Sequence, residues 1–509
     1  MPSPPNILLV LTDQHRLSAV GAYGPTPCKT PHIDALAAEG MLFRNVYTAC
    51  PVCTPARASL ITGQAPHNHG MVINTEDRST IVHQVPDAPY LLPRRLESLG
   101  YQLGYTGKWH LGSPDRFKLN APIAPCMPSD VGFEGDDFPG HGDGGWGFPS
   151  FEEYLRDRGL KVSYTQWPED REAFRERRAF RIMEGEIEAT VPYFLTSNTI
   201  DRIDRFVSAD GGRDAPFFLW HNYWGPHEPY CPTPEYLDMY RDVDLPPWLN
   251  FDWPALATDG PHRFTLAPPV RERGANLPWD VWADGIRYYY AFTTMIDDQI
   301  GRLMAHLRHS GLLDRTVVIF MADHGEALGD HGGTYNKGWT HFEETHRIPL
   351  IVRMPDGSGA GQTCDELVSL LDIYPTILEM AGAPDPGDRP PFPARWPFEL
   401  PHHPDGRSLV PLLRGEHVPW RDAVVSEFHG LYDNTCIMRT MRCGRYKYGY
   451  TFLGRDELYD LETDPHEVNN LIEDPAHAST VARLRRRLIE WMAAHWDTAS
   501  NGLVATKMS

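Results

Sequence analysis

Cys53-Thr54-Pro55-Ala56-Arg57 sets a thiol, a proline and a guanidinium side by side. Proline is tolerated in the first turn of a helix, where its missing N–H costs nothing. A helix starting at Cys53 is therefore expected, with the thiol where backbone N–H groups and the helix dipole favour negative charge. Arg57 lies one turn further on and can return toward that thiol. A nucleophile beside a guanidinium at a helix N-terminus suits an anionic substrate. Spacing alone leaves other readings open. Cys50-Pro51-Val52-Cys53 has redox spacing, but no small thioredoxin-like unit surrounds it. A zinc pair would want two more close ligands, and none follow. A buried, inert cysteine fits equally well. Two further pairs, Asp13-Gln14 and Asp323-His324, offer oxygen and nitrogen donors to a cation.

The elements around these residues follow from the apolar runs. Asn6–Thr12, Phe217–Trp220, Thr316–Ala322 and Arg347–Val352 read as buried strands. The first ends in Asp13-Gln14, the second leads to His227, and the third ends in Asp323-His324. Helical patterns lie between them at Ile33–Glu39, Pro93–Leu99, Tyr288–Leu307 and Ser369–Ala381. Alternating strands and helices predict a largely parallel sheet with helices on both faces. Ligands bind beyond the carboxyl ends of such strands, so three of them could share one site. A strand-end cap is the plain reading of one Asp, but two such pairs make chance a weaker account. Gly132–Pro149 reads as a surface loop, and the proline-rich Asp385–Pro404 as a linker. Asp422–Phe428, Thr435–Arg442 and Tyr446–Phe452 read as short antiparallel strands, closed by an amphipathic helix at Ala476–His495 whose basic run, Arg483 to Arg487, reads as a solvated face.

Composition bounds the function classes. The chain has 509 residues, 41% hydrophobic and 23% charged, which excludes disorder as the main state. A net charge of −21 argues against a nucleic-acid partner but not against a local basic pocket. The apolar run Ile7–Leu11 is far short of the roughly 20 residues needed to span a membrane. Arg16 is the first basic residue, so no export signal is read and a cytoplasmic chain with no membrane partner is expected. The 8 cysteines are scattered, so reduced thiols are expected.

Further motifs extend the pattern: Gly107-Lys108-Trp109-His110-Leu111-Gly112, Gly225-Pro226-His227-Glu228-Pro229, Asp323-His324-Gly325-Glu326 with Gly329-Asp330-His331-Gly332 and Lys337, and Glu457–Leu461 with Asp464-Pro465. With Asn6–Gln14 and Cys-x-Pro-x-Arg, in this order over most of the chain, they resemble the type I sulfatases of the alkaline phosphatase superfamily. The resemblance implies an α/β fold, a large mixed, mostly parallel sheet flanked by helices. It places a catalytic domain at 1–400 and a C-terminal α+β subdomain at 401–509, with a small antiparallel sheet and a closing helix. It implies a sulfuric ester hydrolase in which a formylglycine-generating enzyme oxidises Cys53, and the aldehyde hydrate attacks sulfur. The metal ligands would be Asp13, Gln14, residue 53, Asp323 and His324. Oxygen count favours Ca2+, while the imidazole also suits Mn2+ or Mg2+. Arg57, Lys108 and Lys337 would form the cationic set, and His110 and His227 the acid–base pair. Trp109 alternates with Lys108 and His110, so an extended segment would turn both to one side. His67, His69 and His331 are read as structural.

A small sulfated substrate is expected, aryl or carbohydrate, and the family leans toward a homo-oligomer. Three departures matter. Asp13-Gln14 replaces the tandem aspartates of many sulfatases, Gln64 stands where Arg is frequent, and phosphonate monoester hydrolases share Asp-Gln with the Cys-x-Pro-x-Arg core. Those hydrolases tend to lack Gly-Lys-Trp-His, so phosphonate monoester or phosphodiester hydrolysis is the alternative. A sulfate-binding pseudoenzyme or a thiol-disulfide protein would be the reading from another class.

Overall fold

The computed structural model describes residues 4–77, 79–112, 125–135, 137, 145, 148–166, 180–209, 215–252, 277–387, 389 and 402–507. Fourteen strands are seen among them: β1 Asn6–Asp13, β2 Met41–Tyr47, β3 Gln102–Gly107, β4 Glu134–Gly135, β5 Ser163–Gln166, β6 Arg181–Glu184, β7 Phe217–Pro226, β8 Thr316–Ala322, β9 Leu350–Arg353, β10 Gln362–Ser369, β11 Ala423–Leu431, β12 Asn434–Cys443, β13 Tyr446–Thr451 and β14 Glu457–Asp460. Eight form one sheet in the order β10-β2-β9-β8-β1-β7-β3-β4, parallel except for β9. This is the large, mostly parallel sheet expected of the alkaline phosphatase superfamily.

The central strands are apolar throughout because both faces of the sheet are covered. Leu8, Val10, Leu219, Val318 and Phe320 face the helices Pro31–Glu39, Val191–Ala209 and Trp279–His309. Ile7, Leu9, Leu11, Phe218, Trp220, Val317 and Ile319 face the helices Cys53–Thr62, Leu92–Ser98 and Ile373–Met380. The period-2 alternation thus feeds two cores, one on each side. Several elements differ from the sequence expectation. The helix at Trp279–His309 starts well before Tyr288, because Trp282 and Ile286 continue its buried stripe. β7 runs on to Pro226 because His221, Asn222, Tyr223 and Trp224 are all buried. β9 begins at Leu350, after Pro349, which has no N–H for a ladder.

The C-terminal strands form a four-stranded antiparallel sheet, β11-β12-β13-β14. The helix Ala478–Ala494 closes one face, burying Val481, Leu484, Leu488 and Met492 against Met441, Tyr448, Tyr450 and Leu458. The rim of this sheet docks on the large unit through Phe428, Leu431 and Met438, against Cys50, Val52 and Trp339. The boundary at 400 lies outside the described residues, as do most of Gly132–Pro149 and the middle of Asp385–Pro404. Among the described residues, no helix is long and apolar enough to cross a membrane.

Candidate active site

β8, β1, β7 and β3 are neighbours, so their carboxyl ends bring Asp323-His324, Asp13-Gln14, His227 and Lys108 together. Opposite them, the helix Cys53–Thr62 begins at Cys53, with Val52 as its extended N-cap. All ten of its residues are buried. Its polar side chains therefore bond inward, Thr54 to the His110 carbonyl (2.8 Å) and Ser59 to His69 (3.2 Å). Gly63, in the left-handed region at φ 71°, ends the helix.

The two aspartates divide their oxygens in the same way. Oδ2 of Asp13 accepts from Lys108 Nζ and, at 3.1 Å, from Arg57, and Oδ2 of Asp323 accepts from Arg57 Nε at 3.1 Å. The Oδ1 atoms lie 3.8 Å (Asp13) and 3.7 Å (Asp323) from His324 Nε2. Cys53 Sγ is 3.3 Å from the same nitrogen and 3.1 Å from Lys337 Nζ. His324 Nδ1 donates to the Gly325 carbonyl at 2.9 Å, which turns the lone pair of Nε2 into the cluster. Ligand atoms of Asp13, Cys53, Asp323 and His324 all lie within 4.8 Å of one another. Hard oxygens and one imidazole on buried, oriented side chains fit a divalent cation.

Gln14 stands beside the cluster. Its Oε1 accepts from Lys337 Nζ, and its Nε2 donates to Glu326. Arg57 makes two more bonds, both 2.9 Å, to the Lys108 carbonyl and to Asn222 Oδ1. All of these contacts hold neighbouring groups in place.

Electrostatics follow from this crowding. Burial pushes Asp13 upward, but the charges of Lys108, His227, Arg57 and Lys337 outweigh it and hold Asp13 well below the usual carboxylate range. Burial and Asp13 push Cys53 up, yet Lys108, Lys337 and a hydrogen bond with His110 bring its thiol below the ordinary value. Burial lowers His324 to about 4, so it is neutral and ready to ligate. Burial also opposes charge on His110, but Glu76 and Cys53 overcome it and its pKa is raised.

Lys108 and His110 both reach the site, but not along an extended segment. β3 ends at Gly107, and His110 sits at φ 57°, so a turn rather than strand alternation points both inward. His110 Nε2 meets Glu76 Oε2 at 2.7 Å. His227 Nδ1 donates to the Glu228 carbonyl at 2.6 Å. His67 and His69 lie elsewhere, bonded to Glu427 and to Ser59, and His331 stacks on Phe342. Cys50 and Cys53 are both free thiols.

Sequence reasoning missed Asn222, Asn74 and Glu76, and it quoted Glu326 within a motif without a role. Asn74 Oδ1 accepts the Thr54 amide at 3.1 Å and so satisfies a first-turn donor of the helix Cys53–Thr62. None of these stands in a recognisable spacing from its partner. The C-terminal sheet also contributes. The β11–β12 turn presents Tyr432, whose hydroxyl accepts from Asn336 Nδ2 at 3.3 Å, beside Lys337.

A carboxylate–imidazole cluster at the strand ends of this sheet, facing a cation-ringed residue at a helix N-terminus, defines a hydrolase of the alkaline phosphatase superfamily. Within it, the chain belongs to the sulfatase family. The sulfatase model matches residues 5–383, and the C-terminal model of N-sulphoglucosamine sulphohydrolase matches 394–494. The chain is 31% identical to a multifunctional alkaline phosphatase superfamily protein of Trinickia caryophylli, over 97% of this chain and 96% of that protein. It is 27% identical to an arylsulfatase of Clostridium perfringens, over 98% and 96%. In fold it is similar to a phosphonate monoester hydrolase of Agrobacterium radiobacter, with a TM-score of 0.72, 24% identity and 96% of each chain covered.

Proposed function

We propose that the chain hydrolyses an organic sulfate ester, aryl or carbohydrate, to an alcohol or phenol plus sulfate. The observation that carries this reading is the convergence of both Oδ1 atoms and His324 Nε2 on residue 53, with Lys108 and Lys337 on its flanks. Asp13, Asp323 and His324, with Gln14 and residue 53, would hold a divalent cation, which would stabilise negative charge on the sulfuryl oxygens. Cys53 is the residue for conversion to formylglycine by a formylglycine-generating enzyme, and the hydrated aldehyde would supply an oxygen nucleophile.

The remaining chemistry belongs to the chain's own side chains. Three cations, Arg57, Lys108 and Lys337, stand against two carboxylates, Asp13 and Asp323, so the floor attracts an anion although the chain as a whole is acidic. Arg57 spends its hydrogen bonds on Asp13, Asp323, Asn222 and the Lys108 carbonyl, which makes it a positioning residue. Lys108 and Lys337 are the cations beside the sulfuryl oxygens. His227 bonds a carbonyl through Nδ1, so Nε2 is the nitrogen that carries a proton to the leaving oxygen. His110 hydrogen-bonds Glu76 through Nε2, which keeps its other ring nitrogen for a proton at residue 53.

Phosphonate monoester hydrolysis is the second reading, supported by the Asp13-Gln14 pair and by the Trinickia caryophylli relative, which is described as multifunctional. Two measurements test the proposal. Peptide mass spectrometry of active protein should find residue 53 lighter by roughly 18 Da, the change from –CH2SH to –CHO. Fully active protein carrying only unmodified Cys53 would refute the nucleophile. The kcat/KM for an aryl sulfate should exceed that for the matching phenylphosphonate by at least about tenfold. The reverse preference would move the assignment to the second reading.

A further inference from the structure

We infer that Glu326 is a positioning residue: through the side-chain amide of Gln14 it holds Lys337 against residue 53. This rests on the sulfatase reading, in which Lys337 stands beside the sulfuryl oxygens. Gln14 lies between the two charged groups. Its Nε2 donates to Glu326 Oε2, and its Oε1 accepts from Lys337 Nζ, which also reaches Cys53 Sγ at 3.1 Å. All four residues are buried.

The oxygen and nitrogen of a glutamine amide are nearly the same size, so its orientation is set by what faces it. Here both neighbours set it the same way. A carboxylate only accepts and an ammonium only donates, so Nε2 must face Glu326 and Oε1 must face Lys337. Glu326 is in turn held by donors. The Leu328 amide donates to Oε1 at 3.0 Å, and the Tyr230 hydroxyl to Oε2 at 3.5 Å. Burial and Glu326 hold that hydroxyl well above the ordinary phenol range, so it stays a donor. The backbone of Gln14 is pinned as well. Its N–H donates to Asp323 Oδ1 at 3.0 Å, its carbonyl accepts from the Tyr289 hydroxyl at 2.9 Å, and its φ of 58° is uncommon for glutamine. The amide thus enters, from a fixed point, a slot of one polarity.

That polarity gives Glu326 a task that its neutral isostere cannot perform. A glutamine at 326 has one acceptor. If it keeps the Leu328 amide, its NH2 meets the NH2 of Gln14. If Gln14 turns over to relieve this, its NH2 meets Lys337. Either way two donors face each other in a buried space, and one is left unpaired. A glutamate at 14 creates the converse conflict, two carboxylates in contact. Exchanging the two groups removes both. The amide at 326 then accepts from Leu328 and donates to the carboxylate at 14, whose other oxygen accepts from Lys337. Side-chain size and net charge stay as they were.

Two mutant cycles test this, read as kcat/KM for an aryl sulfate on the full chain with residue 53 converted. Glu326→Gln and Gln14→Glu should each lower kcat/KM by at least about tenfold, the scale of one buried group left unpaired. The double variant Gln14→Glu/Glu326→Gln should return to within about threefold of the wild type. The melting temperature should fall and recover in the same order. The second cycle asks whether the effect passes through Lys337. Without the ammonium the Gln14 amide turns freely, so Glu326→Gln added to Lys337→Ala should cost less than about twofold. A Glu326 that only supports the fold would show the same tenfold loss with and without Lys337, and no recovery in the double variant. Either result would overturn the inference. So would a double variant that fails to fold, because the exchange gives each of these donors an acceptor. If the wild type leaves the aryl sulfate intact and hydrolyses the matching phenylphosphonate, the sulfate-ester reading fails, and the same cycles on the phosphonate decide the role of Glu326.

Discussion

Asp13 meets a guanidinium, an ammonium and an imidazole with only two oxygens, and the division between Oδ1 and Oδ2 leaves Oδ1 on the side of His324 and Cys53, where a cation could be held. Asp323 repeats the division, with Arg57 as the shared clamp. Removing one charge should therefore empty the site. Asp323→Asn should lose bound metal and turnover together, read by elemental analysis beside an activity assay. Full activity in metal-free protein would refute the ligand assignment. Lys108 is fully buried and bonded to Asp13, so it is preorganised rather than recruited. Lys108→Ala should lower kcat/KM for an aryl sulfate by about a hundredfold or more, the scale for one fixed electrostatic group. A loss of only a few fold would remove Lys108 from the reacting set.

At the scale of elements, the site depends on how closely strand ends approach. Gly107 ends β3 at φ 92°, and a Cβ there would lie 1.7 Å from the Asn222 carbonyl oxygen. Only glycine lets β3 and β7 stay paired while the chain turns to present Lys108 and His110. Gly107→Ala should cost roughly 2–4 kcal/mol and reduce turnover sharply. Gly311 has a similar backbone, φ 68°, but nothing within 4 Å of a Cβ. Gly311→Ala should cost about 1–2 kcal/mol and leave turnover unchanged. Denaturant melts with parallel assays would separate the two, and equal losses of activity would refute the close-approach argument.

At the scale of the molecule, the C-terminal sheet is fastened to the segment that follows the helix Cys53–Thr62 by a buried ionic knot. His67 Nδ1 pairs with Glu427 of β11, its Nε2 meets the His495 carbonyl at 2.8 Å, and Arg439 joins Asp497 at 2.7 Å. Burial disfavours charge on His67, but Glu427 outweighs it and raises the pKa, with Asp497 adding to the shift and Arg439 opposing it. Glu427 itself is held well below the carboxylate range, because His67, Arg439 and His429 overcome its burial. A raised histidine pKa means stability that is fully present below the unfolded value of about 6.5 and lost as pH climbs through the folded one. His67→Gln should therefore lower the melting temperature most below the unfolded value of about 6.5, with a deficit that narrows as pH rises above it. A deficit that is flat or grows with pH would show that the pair is not ionic.

Much of the site was legible because its chemistry stands at the ends of local patterns. Asp13 and Asp323 close apolar runs, and Cys53, Pro55 and Arg57 share one helical turn, so residue type and short spacing sufficed. Thr316–Ala322 was readable to the residue because a strand buried on both faces is continuously apolar. β2 and β3 escaped notice, since Arg44 and Asn45 interrupt one and two glycines thin the other. Tertiary structure alone decided which oxygens face inward, that His110 arrives through a left-handed turn, and that Asn222, Glu76, Glu326 and Tyr432 complete the surroundings. Those contacts join groups as far as 312 residues apart, as for Gln14 and Glu326. Nothing in the local chemistry of either partner marks the other, because only the packing of strand ends sets their distance.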